Sequence, residues 1–297
     1  MGLQPGKTER ENLWRLLEMA RDEDLGSGDV TSTILPADVQ ATGKFVARQP
    51  MVFCGGALLE AIAVRYDGHL RTVPKVPEGR DVQAGALLAQ WHGPARAMMA
   101  AERVALNFLQ RLSAVATTTR RYVDAIAGTG AEIYDTRKTT PGWRELEKYA
   151  VRVGGGKNHR RGLYDAVLIK DNHLAILAKA QHHEDVTETI ERELERIRPY
   201  LPPRAFIMLE VDTMDQFRDA LNMSVDIILL DNMLPEQLRE AVALRGRVNA
   251  AIELEASGGI TLQNVRDVAE TGVERISVGA ITHSAGAIDI GLDIQIE

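Results

Sequence analysis

The chain has 297 residues, of which 45% are hydrophobic and 26% charged, with a formal net charge of −7 and a pI of about 5.6. This length and composition predict a folded globular protein of one large or two ordinary domains. Its single cysteine, Cys54, excludes an internal disulfide and a cysteine-rich zinc site. No window approaches the roughly eighteen apolar residues of a membrane span, and the first residues carry no apolar signal core. We therefore expect a cytoplasmic protein with no membrane partner.

The first third of the chain predicts a small α+β domain. Apolar residues recur at helical spacing between residues 12 and 21. Strand-like segments follow at residues 43–52, 70–76 and 86–91, separated by turns rich in glycine or proline. A long helix of apolar periodicity then begins at Pro94, and we expect it to join two domains.

After Gly130, short apolar strands alternate with helical stretches in a β/α pattern. The predicted strands cover residues 131–134, 166–169, 206–209, 225–230, 250–254 and 275–278. A charged helix is expected over about 185–198. Polar or charged residues follow the first five of these strands, and Gly279-Ala280 follows the last. Because the carboxyl ends of barrel strands converge on one mouth, this recurrence predicts a (β/α) barrel with its active site there, rather than an open sheet.

One segment is basic in an otherwise acidic chain. Residues 137–161 contain eight Lys or Arg against two acids. A charge run usually forms a solvated face. Here the cations adjoin the glycines at 154–156, where we expect the backbone to approach a ligand closely. Five side chains are suited to surround a small polyanion: Arg137, Lys138, His159, Arg160 and Lys170. Nucleic acid is not that polyanion, because aromatic residues for base stacking hardly occur among the cations and the pI is acidic.

A glycine-rich signal follows the last two predicted strands. Residues 257–259, Ser-Gly-Gly, precede a predicted helix over 262–271, and residues 278–280, Val-Gly-Ala, end the next strand. Backbone N–H groups beside a helix N-terminus bind phosphate, and barrels commonly hold phosphate at their last two strand ends. We therefore expect a phosphate site here.

An ordered set of motifs resembles the quinolinate phosphoribosyltransferase family. The motifs are Asp-Thr-Arg-Lys-Thr-Thr-Pro-Gly, Glu-Lys-Tyr-Ala-Val, Gly-Gly-Gly-Lys-Asn-His-Arg, Leu-Ile-Lys-Asp-Asn-His, Leu-Leu-Asp-Asn-Met, Glu-Ala-Ser-Gly-Gly-Ile and Val-Gly-Ala-Ile-Thr-His. Leu-Gly-Ser-Gly-Asp-Val-Thr-Ser and Glu-Arg-Val-Ala-Leu-Asn also match the family's N-terminal domain. The resemblance implies an α/β fold in two parts: an N-terminal α/β sandwich domain, residues 1–115, to which the tail 285–297 would return, and an incomplete (β/α) barrel, residues 116–284.

The resemblance also implies an activity and residue roles. The family transfers phosphoribosyl from phosphoribosyl pyrophosphate to quinolinate with decarboxylation, giving nicotinate mononucleotide, pyrophosphate and CO2 for NAD biosynthesis, with Mg²⁺ and as a homodimer or a larger assembly of dimers. The implied substrate-binding residues are Arg103, Thr136, Arg137, Lys138, His159, Arg160, Lys170, Glu210, Asp231, Ser257, Gly258, Gly259, Val278, Gly279, Ala280 and His283. The expected catalytic residues are Lys138, Lys170, Glu210 and Asp231. Glu210 and Asp231 are also expected to contact the metal, directly or indirectly.

Three other functions stay open at this point. The chain could be a phosphoribosyltransferase for another pyridine carboxylate, although the abundance of Arg and His around residues 137–160 argues against a single-carboxylate substrate. It could be an aldolase with Lys170 as Schiff-base residue, or a non-catalytic phosphosugar sensor. The charged segment 180–204, with His182 and His183, is longer than the family usually has, so the barrel geometry near it is in doubt.

Overall fold

A computed structural model of the protein describes residues 3–180 and 186–297. The described chain divides into two compact units. The first comprises the residues up to 121 together with 138–156 and 280–297, and the second comprises 122–137 and 157–279. The boundary expected between residues 115 and 116 stays a prediction.

The helices and strands follow the chain in this order: α1 (Lys7–Leu25), β1 (Gln40–Ala47), β2 (Met51–Val52), α2 (Leu59–Tyr66), β3 (Arg71–Pro74), β4 (Asp81–Val82), β5 (Leu87–Pro94), α3 (Ala95–Ala125), β6 (Glu132–Tyr134), α4 (Arg144–Val153), β7 (Val167–Ile169), α5 (Asp171–Ala180), α6 (Val186–Ile197), β8 (Ile207–Val211), α7 (Met214–Ala220), β9 (Ile227–Asp231), α8 (Pro235–Val248), β10 (Glu253–Ser257), α9 (Val265–Ala269), β11 (Arg275–Ser277), α10 (Ala280–His283) and β12 (Ile290–Ile296). Short 3₁₀ helices occur at Ser32–Ile34, Gly56–Leu58 and Arg198–Tyr200.

The first unit is built on a four-stranded sheet in the order β12-β1-β5-β3, with antiparallel neighbours. Side chains of β1 alternate between buried and half-buried, as expected for a sheet with one face on a core. On the buried face Phe45 meets the ring of Trp91 edge-on, with 4.8 Å between ring centroids. The chain's C-terminal strand β12 completes this sheet beside β1, so the unit draws on both ends of the described chain.

The second unit contains six parallel strands in the order β6-β11-β10-β9-β8-β7. Each strand lies beside its neighbour in sequence except β6, which pairs with the last strand, β11, as in a barrel. Among the described residues no strand pairing joins β6 to β7, and Tyr134 instead forms a single parallel bridge with Lys157. The expected mixed α/β architecture with an incomplete barrel is confirmed.

Each predicted strand has a counterpart, although 43–52 is divided into β1 and β2 and the strand expected at 250–254 is β10 at Glu253–Ser257. One predicted helix is too long. Instead of 262–271, the helix after β10 covers only Val265–Ala269. Asn264 closes a turn ahead of it, since its Oδ1 accepts from the N–H of Thr261 at 2.8 Å and its Nδ2 donates to Gly259 O at 2.9 Å. This turn takes up the residues that were expected to form the first helical turn. The helix-dipole part of the phosphate argument is therefore weaker than the sequence suggested.

Packing between helices explains the first of the glycines at 154–156. Gly154 follows α4, and a Cβ there would lie 2.5 Å from the carbonyl oxygen of Ala116 and 2.7 Å from Cβ of Thr119, both on α3. Glycine lets the end of α4 approach α3 closely. The expected approach of a ligand to the backbone of this run stays a prediction.

Two further findings concern the sequence expectations. The charged helix is present as α6, while residues 181–185, with His182 and His183, lie outside the described residues. On either side of it β7 and β8 still pair in parallel, from Val167 opposite Ile207 to Ile169 opposite Leu209.

Among the described residues, no helix combines the length and apolar character that a membrane crossing requires.

Candidate active site

Predicted site residues from four adjacent strands lie on one face at the carboxyl ends of the second unit's sheet. Lys170 follows β7, Glu210 lies in β8, and Asp231 and Ser257 end β9 and β10. Ser257 is directly opposite Asp231, while Glu210 is opposite Leu229, two residues before Asp231. Side chains two residues apart on a strand share a face. The sheet register therefore brings these residues together.

The sheet below this layer is apolar along β7, β8 and β9. Met208, Ile227 and Leu229 form a buried cluster, against which Leu168 and Phe206 pack. Leu168 and Met208 are register partners, as are Met208 and Ile227. Beneath Lys170, Glu210 and Asp231 there is thus an apolar floor that excludes water from one side.

Lys170 and Glu210 form an ion pair in which Nζ donates to Oε2. The Lys170 side chain is 42% exposed and that of Glu210 is 14% exposed, so the ammonium group can still be reached by a ligand. The N–H of Lys170 donates to Nδ1 of His173 at 2.9 Å, which holds the start of α5. Two expected catalytic residues are thus in direct contact.

Arg160 interacts electrostatically with Glu210 of this pair and with a second arginine, Arg137. The pKa of Arg160 is lowered by burial and then by the positive charge of Arg137, while the carboxylates of Asp165 and Glu210 oppose both effects. Arg160 is 8% exposed, and its Nη1 donates to the carbonyl oxygen of Ala166 at 3.4 Å. Because like charges that interact in this way repel each other, an anion bound between the two guanidinium groups would be favoured.

His159 lies deeper in the unit than the strand ends. Its Nδ1 accepts from the N–H of Arg160 at 2.8 Å, and its Nε2 lies 3.5 Å from Oε1 of Glu255. The ring also meets Phe206 edge-on, with centroids 5.4 Å apart. Because Nδ1 is an acceptor, the proton of a neutral imidazole lies on Nε2, facing Glu255. The expected substrate contact of His159 stays a prediction.

A buried aspartate that the sequence reading did not single out anchors the segment before His159. Asp135 follows β6 and is fully buried, and its carboxylate accepts from the N–H of His159 at 2.8 Å and from Nδ2 of Asn158 at 2.7 Å. The neighbouring residues Thr136 and Arg137 continue from the same strand end. Asp135 could have been singled out from the sequence, because it is an acid that directly follows a predicted strand and precedes Thr136.

A second missed group is a buried ion pair below the glycine-rich loop. Oε2 of Glu255 accepts from Nε of Arg275 at 2.7 Å, and the guanidinium lies 3.8 Å from the centroid of the Tyr134 ring. Burial raises the pKa of Glu255, and the charge of Arg275 opposes that shift. This pair also faces His159. The inner face of the sheet is therefore charged at β10 and β11, whereas it is apolar along β7, β8 and β9.

The predicted phosphate loop has the backbone that its glycines suggested. Gly258 has φ +85° and Gly259 φ +61°, both left-handed. A Cβ on Gly258 would lie 2.6 Å from Cγ of Asn232, so the loop packs directly on the residue that follows β9. At the next strand end Val278 donates its N–H to the carbonyl oxygen of Tyr134 at 2.9 Å, just before Gly279.

Four of the expected site residues belong to the first unit: Arg103, Lys138, Ala280 and His283. Arg103 is exposed on α3. The carbonyl oxygen of Lys138 accepts from Oγ1 of Thr282 at 2.7 Å, which ties Lys138 to the short helix α10 that contains Ala280 and His283. The segments carrying Lys138 and the α10 residues are thus held side by side.

A buried ion pair holds both segments. Glu147 on α4 is fully buried and accepts from Nη2 of Arg111 at 2.6 Å, and from Oγ1 and N of Thr140 at 2.8 and 3.1 Å. The same Nη2 of Arg111 donates to the carbonyl oxygen of Thr282 at 2.6 Å. No sequence pattern indicated this pair, because its members come from two different helices.

A cavity of about 430 Å³ lies at the opposite ends of the strands. Phe206, Ile227, Glu253 and Arg275 are among its lining residues, and all stand at or just before the amino end of a strand. In a barrel this end serves stability rather than catalysis. The cavity is therefore not the candidate site.

Metal binding can be assessed from the oxygen ligands. Within residues 3–180 and 186–297, no group of three or more His, Cys, Asp or Glu side chains is arranged to hold a metal ion. Glu210 and Asp231 are nevertheless hard oxygen donors on one face of adjacent strands. Mg²⁺ is commonly bound through one or two carboxylates together with substrate phosphates. The residues present fit that mode.

Comparison with known proteins decides the family. Residues 29–113 match the model of the quinolinate phosphoribosyl transferase N-terminal domain, and residues 115–293 match that of its C-terminal domain. The chain belongs to the quinolinate phosphoribosyltransferase family. The family and the function expected from the sequence motifs are confirmed.

Individual family members are similar to this chain along nearly its whole length. The nicotinate-nucleotide pyrophosphorylase (carboxylating) of Mycobacterium leprae (strain TN) is 42% identical, covering 94% of this chain and 95% of the relative. A probable nicotinate-nucleotide pyrophosphorylase (carboxylating) of Bacillus subtilis (strain 168) is 38% identical, covering 92% and 90%. The solved nicotinate-nucleotide pyrophosphorylase of Francisella tularensis superposes with a TM-score of 0.86 at 34% identity, covering 98% and 99%.

Proposed function

We propose that this family member transfers the phosphoribosyl group of phosphoribosyl pyrophosphate to the ring nitrogen of quinolinate. In the transfer the bond from ribose C1 to pyrophosphate breaks and a bond from C1 to the nitrogen forms. The bond from ring C2 to its carboxylate then breaks, CO2 leaves, and the electron pair left on C2 takes up a proton. The products are nicotinate mononucleotide, pyrophosphate and CO2.

The cations grouped around Glu210 carry this proposal: Lys170 is paired with Glu210, and Arg160 interacts electrostatically with both Glu210 and Arg137. Quinolinate is a dianion with adjacent carboxylates, and Arg presents a planar pair of donors that matches a carboxylate. Burial and then the charge of Arg137 lower the pKa of Arg160, and a dianion placed between the two guanidinium groups would oppose both effects. Lys170 supplies a third cation, which is shared with Glu210. A substrate with one carboxylate would satisfy this set less well.

Glu210 and Asp231 suit the transferring sugar. Ribose C1 becomes positively charged as pyrophosphate departs, and nearby carboxylates stabilise such a charge or bind the ribose hydroxyls. Mg²⁺, when bound with the pyrophosphate, would neutralise charge on the leaving group. Glu210 and Asp231 are the residues of this unit that would hold it, directly or through bound hydroxyls.

Backbone groups at the last two strand ends suit the 5-phosphate of the sugar. The proposed binding residues in the second unit are Ser257, Gly258, Gly259, Val278 and Gly279. Left-handed glycines turn backbone N–H groups toward an anion and leave room for its oxygens. The apolar floor under Lys170 supports the later decarboxylation, because a poorly hydrated carboxylate loses CO2 more readily.

An assay with three acceptors tests the proposal against other pyridine substrates. Quinolinate, nicotinate and nicotinamide are each offered with phosphoribosyl pyrophosphate and Mg²⁺, and nucleotide product and CO2 are measured. We expect product from quinolinate alone, with one CO2 per nucleotide. Product from nicotinate at a comparable rate, or nucleotide that retains both carboxylates, would contradict it. Omitting Mg²⁺ tests the metal, and full activity with a chelator present would remove it from the proposal.

The aldolase alternative is disfavoured by the contact of Lys170 with Glu210. A Schiff-base lysine must present its Nζ to a carbonyl carbon, whereas Nζ of Lys170 is engaged by the carboxylate of Glu210. Borohydride with a sugar phosphate would leave the mass of the chain unchanged. A non-catalytic sensor would gain nothing from Glu210 and Asp231, whose negative charge weakens anion binding.

The proposal includes a homodimer in which Arg103 contacts the partner's substrate. Arg103 and Met99, which is 43% exposed, are exposed residues of α3, while Met19 on α1 is 68% exposed and lines a groove with Phe108 and Trp143. Exposed apolar side chains of this kind support a contact with another chain. An isologous interface would present Arg103 of each chain to the other.

Mixing two inactive variants tests this arrangement. Arg103→Ala and Lys170→Ala chains, unfolded together and reassembled, should regain up to about a quarter of wild-type activity, because a heterodimer contains one intact site. Reassembled Lys170→Ala alone is the control. A mixture that contains heterodimer by mass spectrometry but stays inactive would rule out action across the interface.

The proposal also includes a cytoplasmic location, which the single buried and unbridged Cys54 supports.

A further inference from the structure

We propose that Asn232 is a positioning residue for the transfer reaction, which orients the carboxylate of Asp231 and sets its spacing from the loop at Gly258. This inference rests on the proposed function, because it assigns Asp231 to the ribose and the loop to the 5-phosphate.

The backbone of Asn232 is in an unusual conformation. Its φ of +54° is left-handed, and among the described residues Arg204 is the other non-glycine residue with positive φ. Glycine adopts this conformation without strain, and residues with a Cβ do so at a cost of about 1–2 kcal/mol. Asparagine tolerates it better than most, but a glycine would still relieve the backbone. The side chain of Asn232 therefore has a use that offsets the strain.

The side chain of Asn232 contacts the expected catalytic carboxylate. Its Nδ2 donates to Oδ2 of Asp231 at 2.7 Å, and its backbone N–H donates to the carbonyl oxygen of Ser257 at 2.8 Å. The first bond fixes the plane of the Asp231 carboxylate and presents Oδ1 to a ribose hydroxyl or a metal. The second fixes Asn232 to the end of β10.

The same amide also packs on the phosphate loop. A Cβ on Gly258 would lie 2.6 Å from Cγ of Asn232 and 2.9 Å from its backbone nitrogen. Asn232 thus lies between the carboxylate that ends β9 and the glycines that follow β10. In the substrate, the hydroxyls and the 5-phosphate belong to one sugar, whose covalent bonds limit the distance between them. A shift of about 1 Å between their two binding groups can cost about 100-fold in rate.

The test separates this role from a purely structural turn. Asn232→Gly removes the amide but relieves the backbone, so a structural role predicts unchanged kcat and equal or higher thermal stability. A positioning role predicts a kcat lower by roughly 10–100-fold, as for other residues that orient a reacting group, with the KM for quinolinate nearly unchanged. Asn232→Asp keeps the shape but cannot donate to Asp231, and we expect a similar loss. The matched control is Arg204→Gly, which makes the same backbone change just before β8, and should leave kcat unchanged.

A double-mutant cycle tests the contact with Gly258. Gly258→Ala should raise the KM for phosphoribosyl pyrophosphate by at least about 3-fold more in the wild-type chain than in Asn232→Gly, where the Cγ obstacle is gone. Far-UV circular dichroism checks the fold of each variant. If wild type forms product while both Asn232 variants keep wild-type kcat, the inference is wrong and the proposed function stands. If wild type forms no product from quinolinate, the proposed function itself fails.

Discussion

Replacing Glu147 by Gln should destabilise the first unit strongly. Its carboxylate is fully buried between Arg111 and Thr140, and Arg111 is 22% exposed. Glutamine keeps the shape, but it removes the charge and turns one acceptor into a donor that faces Arg111 or the N–H of Thr140. Removing one partner of a buried ion pair costs roughly 3–5 kcal/mol. Because Arg111 is partly hydrated, we expect a loss of about 3 kcal/mol.

Glu145→Gln is the matched control for this variant. Both glutamates lie in the first turn of α4, so each substitution removes the same favourable interaction with the helix dipole, about 0.3–1 kcal/mol. Urea unfolding followed by tryptophan fluorescence reports this unit, since the chain's three tryptophans, Trp14, Trp91 and Trp143, all belong to it. The free energy of unfolding of Glu147→Gln should be lower than that of the control by at least about 2 kcal/mol. Equal losses would show that the buried network adds no stability.

Three further predictions concern the second unit. Arg160→Ala should weaken quinolinate binding, measured calorimetrically, by roughly 3–5 kcal/mol and phosphoribosyl pyrophosphate binding far less, and equal losses would remove Arg160 from the quinolinate pocket. Asp231→Asn should lower kcat more than it raises the KM for quinolinate, and normal turnover in steady-state assays would exclude its charge from the mechanism. Burial raises the pKa of Glu255, so the folded chain keeps this proton at pH values where the unfolded chain has lost it. The resulting contribution to stability is full below the ordinary glutamate pKa of about 4.3, and it falls as pH rises through the raised pKa. Urea unfolding across that range should show the stability of wild type falling relative to Glu255→Gln, and a relative rise would contradict the sign.

The strands and their polar ends could be predicted because both signals are local. Each strand is a short apolar run, and the polar residue that follows it marks where the chain leaves the sheet. The expectations that failed or changed depended on contacts that apolar periodicity does not describe. Asn264 shortens α9 because its side chain bonds to Thr261 and Gly259 a few residues earlier, a polar turn that an apolar pattern does not reveal. Gly154 is explained by the backbone of Ala116 on another helix, which is distant in the sequence.

The same limit applies to the site. Lys170, Glu210 and Asp231 were each expected from their strand ends, but their contacts follow from a register that pairs strands about 20–40 residues apart. Asn232 was read as part of a motif without a role of its own. Its role depends on Gly258, which lies in the next β/α repeat.

The charged part of the barrel interior shows most clearly why sequence pattern was insufficient. In β10, Leu254 and Ala256 alternate with Glu255, and such alternation normally predicts a strand with its polar side in water. All three side chains are buried, because β10 is covered on both faces. Glu255 is buried toward Arg275 and His159, in the same strand that ends at the expected phosphate loop. The polar side of this strand faces the interior of the barrel, on the same face as the expected site residues. An acid that alternates with apolar residues in a barrel strand is therefore better read as a candidate for the interior, to be matched with a cation on the next strand, than as a surface residue.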